Sequence, residues 1–219
     1  MATRALLGDL LSEYRLAAAQ SVQAQAAGGV DVAKRIADGE IFDVVVLARE
    51  ALDKLISQGH LLPGSCMDLM RSGIAVATRK SAAPLDISSE ESVKQAVLSA
   101  AALSYSTGPS GVYLEGLFAR WGILESVRSR LTIPPPGIPV ATLIASGKVE
   151  LGFQQLSELM AVPGIQVLGS LPLAIQMMTT FSGGICARSA SPGTARSLLV
   201  YLASAPTQIV KRRHGMEAA

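Results

Sequence analysis

One seven-residue run, FDVVVLA at 42–48, constrains the fold of this chain more than any other. It is apolar except for Asp43, rich in β-branched residues, and too short for a buried helix. Such a run reads as a strand covered on both faces. Residues 49–58 carry a helical pattern that stops at Gly59. A strand feeding directly into a helix is the building unit of an α/β domain.

The rest of the sequence repeats that alternation. Residues 5–19 form an amphipathic helix with Leu6, Leu7, Leu10, Leu11 and Tyr14 on one face. A weakly extended SVQAQAA leads to Gly28-Gly29 and a helix over 31–38. SGIAVATR at 72–79 is a strand. Ser89 then caps a helix running to about residue 100, with Ser92 three residues on and Glu90 and Glu91 in the first turn. LSYS is a short strand, and GPSGVYLEGLFARWG is a helix. RLTIPPP reads as a strand ending in rigid prolines, and PVATLIASGK as a helix closed by Gly147. VELGFQQ and GIQVLGSLP are strands with a helical turn, SELMAV, between them. AIQMMTTFSGGICAR is a long strand with a Gly-Gly break, and SPGTARSLLVYLAS a helix with Pro192 near its start. The class is α/β, with mainly parallel sheets expected.

Composition narrows the function. Of 219 residues 49% are hydrophobic and 16% charged, enough for a substantial core, while 4% aromatics leave Ala, Leu, Val and Ile to fill it. A net charge of +2 leaves no nucleic-acid footprint. No apolar run approaches the roughly 18 residues of a membrane span. Cys66 and Cys186 make neither a disulfide framework nor a metal set, and Cys186 reads as a buried strand thiol. His60 and His214 are the only histidines, too few for a histidine-based triad or metal site. No cofactor is expected. The tail KRRHGMEAA reads as the solvated end of a C-terminal helix.

The densest group of small hydrogen-bonding residues lies in SYSTGPSGVYLEG, at 104–116. Ligands of open parallel sheets bind beyond the carboxyl ends of strands. Ser106, Thr107, Ser110 and Gly111 follow one predicted strand, and Gln154 and Gln155 end another. A helix start presents unpaired N–H groups and a partial positive charge, and Ser and Gly let an anion approach them. Arg71 and Ser72 precede the strand at 72–79, and Arg71 could pair with a carboxylate.

GEIFDVVVLAREALDKLISQGHLLPGS, RSGIAVATRKSAAPLDISS, SYSTGPSGVY and GKVELGFQQLSELMAVPGIQVLGSLP, in that order, resemble extracellular solute-binding proteins of the molybdate-binding type. That resemblance implies the type II periplasmic-binding fold: two α/β lobes joined by two crossing strands, with a ligand in an interlobe cleft. Lobe one would be 1–73 plus 180–219, and lobe two 74–179. It also implies ligand contacts from Thr3, Ser106, Thr107, Ser110, Gly111, Gln154 and Gln155, a periplasmic location, and an ABC transporter membrane component as partner. The family opens on a strand, whereas this sequence opens on the helix 5–19 with no signal peptide, which points to an upstream start or a rebuilt edge and leaves the cytoplasm open. Gly28-Gly29-Val30 stands where molybdate binders tend to offer a serine, which favours a larger organic anion over a tetrahedral oxyanion.

The expected function is therefore binding of a small anion, an oxyanion or an organic carboxylate. The alternative is an isomerase moving an allylic proton on an unsaturated tricarboxylate, since aconitate isomerase resembles the same scaffold. No catalytic base stands out; Tyr105, Glu115 and Glu158 are the candidates.

Overall fold

The structure is a computed structural model, and it describes residues 1–18, 21–135, 137–160 and 162–219. In chain order the elements are α1 (Arg4–Ala18), α2 (Gly29–Ala37), β1 (Val44–Ala48), α3 (Arg49–Ser57), β2 (Met67–Arg79), α4 (Glu90–Ser99), β3 (Leu103–Tyr105), α5 (Pro109–Arg120), α6 (Leu124–Val127), α7 (Val140–Ala145), β4 (Leu151–Gln155), α8 (Leu156–Leu159), β5 (Ile165–Ser170), β6 (Met178–Ile185), α9 (Pro192–Ala203), α10 (Gln208–Arg213) and β7 (Glu217–Ala218). The chain divides into two compact units, Met1–Ser72 with Thr179–Ala219, and Gly73–Met178. One boundary falls inside β2 and the other at the start of β6.

In the first unit β1 pairs antiparallel with β6, and β7 antiparallel with β2. α1 buries the stripe read from its sequence: Leu6, Leu10, Leu11 and Tyr14 pack with Leu69, Met70, Leu199 and Leu202. α3 ends where expected, with Gly59 at φ +77°, a conformation a side chain would strain. The expected break at Gly183-Gly184 is absent, for β6 runs through both. Their missing Cβ atoms serve packing instead. One at Gly183 would lie 2.3 Å from Leu199 Cδ2, and one at Gly184 2.9 Å from Leu61 Cδ1.

The second unit pairs β2 with β4 and β5 on its two edges, both antiparallel, and β3 with β4 in parallel. Helices cover the sheet on both sides. α4 and α5 bring Val93, Val97, Leu114 and Phe118 against Ile74, Val76 and Phe153. α7 brings Val140, Ala141 and Ile144 against Ala75 and Ala77. The few aromatics are concentrated: the Phe118 ring meets Tyr105, Trp121 and Phe153 at centroid distances of 6.0, 5.7 and 6.1 Å. Ser89 and Ser92 form the reciprocal cap that their spacing suggested.

Two further expectations need correcting. The sheets are mixed rather than mainly parallel. The chain leaves the first unit along β2 and returns along β6, so the pairings of these two long strands with β1, β4, β5 and β7 are antiparallel. RLTIPPP is not a strand; Leu131 makes a single bridge to Leu103, and the prolines that follow supply no N–H groups for a ladder. Pro136 of that run, and the end of SELMAV at Ala161, lie outside the described residues.

Close packing of α7 on β4 depends on Gly152, where a Cβ would fall 2.6 Å from both Ile144 Cδ1 and Val140 Cγ1. Gly152→Val should destabilise the protein by about 1–3 kcal/mol through overpacking. Adding Ile144→Ala should recover part of that loss, read as the midpoint of denaturant unfolding.

Candidate functional site

In the second unit, Tyr105 pairs in parallel with Phe153, so β3 and β4 present their carboxyl ends at the same edge of the sheet. α5 begins there. Its N-cap is Gly108, which brings no side-chain cap, and Pro109 opens the helix. Ser110 is buried at 2% exposure, and its Oγ lies 3.0 Å from that of Ser106. A Cβ on Gly111 would sit 1.6 Å from the Ser106 carbonyl oxygen, so the 106–108 loop folds back onto the first helical turn in a way only glycine permits. Thr107 is exposed. The Ser104 hydroxyl, one residue before Tyr105, is fully buried and has no hydrogen-bond partner among the described residues.

Gln154 and Gln155 extend β4 beyond Phe153, at the edge where α5 starts. Strand alternation assigns them to opposite faces. Gln155 shares the α5 face with Phe153. Gln154 shares the α7 face, where its Oε1 accepts a long bond of 3.4 Å from the Ala141 N–H. The Gln154 side chain also hydrogen-bonds the carboxyl of Glu158 on α8. Burial pushes that carboxyl above the ordinary range. Of the other acid–base candidates, Tyr105 is also raised, again chiefly by burial.

Thr3, Arg71 and Ser72 belong to the first unit. The Thr3 carbonyl accepts the Leu7 N–H as α1 begins. Arg71 is half-exposed and faces Glu217 across the β2–β7 ladder at 3.5 Å, so its guanidinium already has a carboxylate neighbour. Ser72 is buried, and its Oγ has no partner among the described residues.

Three features escaped the sequence reading. Arg49, the first residue of α3 after the carboxyl end of β1, donates to Asp53 at 2.9 Å and Asp68 at 3.0 Å. Asp68 also accepts from the Ser182 hydroxyl at 2.6 Å, which holds its carboxyl below the ordinary range. A basic residue directly after a strand, with Asp53 four residues on in the same helix, was the available signal; Asp68 comes from β2. Second, the tail is not uniformly solvated. Arg212 and Arg213 are exposed, but Lys211 is buried at 1% exposure and its Nζ has no partner among the described residues. Third, His214 bonds Asp9 on α1 at 2.8 Å. The remaining histidine, His60, lines a surface crevice with Cys186, Arg188 and Glu40. Burial pushes the Cys186 thiol up to about 11, which leaves it a poor nucleophile.

A profile of the bacterial extracellular solute-binding protein family matches residues 1–217. The chain belongs to this family. Among curated relatives, an aconitate isomerase from a Pseudomonas species is 42% identical over 174 residues, 79% of this chain. The match spans 66% of that relative's length. The Azotobacter vinelandii periplasmic molybdate-binding protein superposes with a TM-score of 0.82 at 16% identity, covering 98% of this chain and 94% of the other. PEB3 with L-phospholactate bound gives 0.76 at 13% identity, covering 99% and 96%. At such identities the two structures establish a shared fold, that of type II periplasmic binding proteins. Among the described residues, no helix is long and apolar enough to cross a membrane.

Glu158 yields a test of its surroundings. Its folded-state pKa lies above the unfolded value, so the folded state holds the proton more tightly. Stability contributed by the protonated form is complete below the ordinary carboxylate range and declines as pH rises through it. Glu158→Gln should therefore leave stability unchanged near pH 4 and raise it relative to the parent by pH 7, measured by thermal unfolding across that range.

Proposed function

We propose that this chain binds a small organic anion of the carboxylate class and that the amino end of α5 receives one of its charged groups. The observation that carries this is the start of α5: twelve residues of helix, uncapped by any side chain, opening at the joint carboxyl ends of β3 and β4 beside the Ser106–Ser110 hydroxyl pair. Pro109 has no N–H, and those of Gly111 and Val112 donate to the Gly108 carbonyl at 2.9 and 3.2 Å, so the positive end of the helix, the Ser110 N–H and the two hydroxyls are what favour an anion there. Ser106, Thr107, Ser110, Gly111, Gln154 and Gln155 are the candidate contacts in the second unit. The family supports capture of a solute for an ABC transporter membrane component, and the aconitate isomerase relative supports a tricarboxylate as the solute.

A second reading rests on Glu158. A carboxyl with a raised pKa can take a carbon-bound proton and return it, which general acid–base catalysis requires. In that reading Glu158 removes a methylene proton from an unsaturated tricarboxylate. The electron pair delocalises through the allylic system, and the proton returns at its other end, so the double bond moves with no net change in composition.

Both readings are tested by titrating the protein with molybdate, citrate, and cis- and trans-aconitate, and by proton NMR of the aconitates in D2O. Binding of the carboxylates but not molybdate is the expected result. Interconversion of the aconitates with deuterium entering the methylene, lost in Glu158→Gln, would establish the second reading. Binding of none of the four would refute the first.

A further inference from the structure

In the first unit, β1 is covered on both faces but along only one edge. Val45 and Leu47 pack with Ile36, Leu52 and Leu55 of α2 and α3. Val44 and Val46, both half-buried, lie against the cluster of Leu6, Leu10 and Leu199. β6 pairs along one edge in antiparallel register, from Val44 with Ile185 to Ala48 with Phe181. Among the described residues no strand pairs along the other, which leaves β1 at one end of the strand order.

The hydrogen bonds around β6 show what the open edge presents. The Asp43 carbonyl accepts the Cys186 N–H at 3.0 Å, so Asp43, and by alternation Val45 and Leu47, turn their backbone groups towards β6. Ile185, opposite Val44, turns away from β1. Its carbonyl accepts the Leu62 N–H at 2.9 Å, and its N–H donates to Ser65 Oγ at 3.1 Å. Val44 and Val46 therefore direct their N–H and C=O groups to the open edge. Edge strands are commonly blunted by lysine, proline or a bulge; VVVLA carries no lysine or proline, and its register with β6 is continuous. Such an edge is a template for another strand.

The flanking charges say which strand fits. A second copy of β1, laid antiparallel about a two-fold axis at Val46, sets Val46 opposite itself, Val45 opposite Leu47 and Val44 opposite Ala48. Val46 is one of the outward-facing residues, so its N–H and C=O can exchange bonds with its own symmetry mate. Asp43 of one copy then comes opposite Arg49 of the other at both ends of the ladder, a pairing of opposite charges. A slip of one residue sets outward residues opposite inward ones and loses the ladder. We infer that β1 is the edge through which two copies of this chain join, in a continuous sheet centred on Val46. The inference is independent of the anion-binding reading.

The test is light scattering of the full chain over a dilution series, with hydrogen exchange of the Val44 and Val46 amides. The parent should show twice the chain mass at high concentration, with both amides protected there and losing protection on dilution. Val46→Pro removes an outward N–H and leaves the β6 ladder its bonds, so it should be monomeric. In a Cys66→Ser background, oxidised Val46→Cys should cross-link two copies. Val44→Cys, ~13 Å from its own mate at ~3.4 Å per residue, should not. A parent that is monomeric at every concentration overturns the inference, whether those amides are open or covered by another segment of the chain. A dimer whose Val44 and Val46 amides exchange freely overturns it too, as does equal cross-linking of the two cysteine variants. Should Val46→Pro fail to fold, the parent's mass and amide exchange decide the matter.

Discussion

The burial of β2 is the constraint on which the rest of this structure depends. From Ser72 to Thr78 every residue is buried, so the backbone N–H and C=O groups there must find partners within the protein. The second unit supplies them from both edges: β4 pairs with Ile74–Thr78 and β5 with Ala75–Arg79. Ile74 is completed by a side chain. The Gln176 carboxamide accepts from its N–H at 2.9 Å and donates to its carbonyl at 3.0 Å, imitating a strand residue. Gly73 makes that possible, since a Cβ would fall 2.9 Å from the Gln176 amide nitrogen. The strand is thus pinned on the second-unit side of the boundary at Ser72–Gly73.

From that anchored strand the positions of β4 and β3 follow, and from them the start of α5. Polar groups gather where these strands end, because backbone that leaves a sheet must be satisfied by something else. Serine and glycine do this cheaply at 106–111, and glutamine does it in β4 by reaching sideways to the Ala141 N–H and the Glu158 carboxyl. The same economy leaves donors without acceptors at Ser72, Ser104 and Lys211.

Much of this was legible in the sequence because it depends on neighbours along the chain. FDVVVLA followed by a helix that stops at Gly59, and the Ser89–Ser92 cap, are local patterns with local causes. What the sequence hid depends on distant residues. Gly183 and Gly184 look like a break, but Leu199 and Leu61 arrive from elsewhere to fill the space they leave. RLTIPPP has the apolar start of a strand, yet its prolines deny a neighbour the bonds it would need. Lys211 reads as one more charge in a basic tail, and only the approach of β7 to β2 shows that it lies inside. At the candidate site the residue types were legible. The reason Gly111 must be glycine was not, since the Ser106 carbonyl against which a Cβ would collide is placed by the turn and not by the spacing.

The proposed function turns on a carboxylate anion being received at the amino end of α5. A crystal structure of the protein grown with trans-aconitate tests it most directly. The expected result is density for a carboxylate within hydrogen-bonding reach of the Ser106 or Ser110 hydroxyl and the Ser110 N–H. Aconitate bound in full elsewhere, with that helix start untouched, would contradict it.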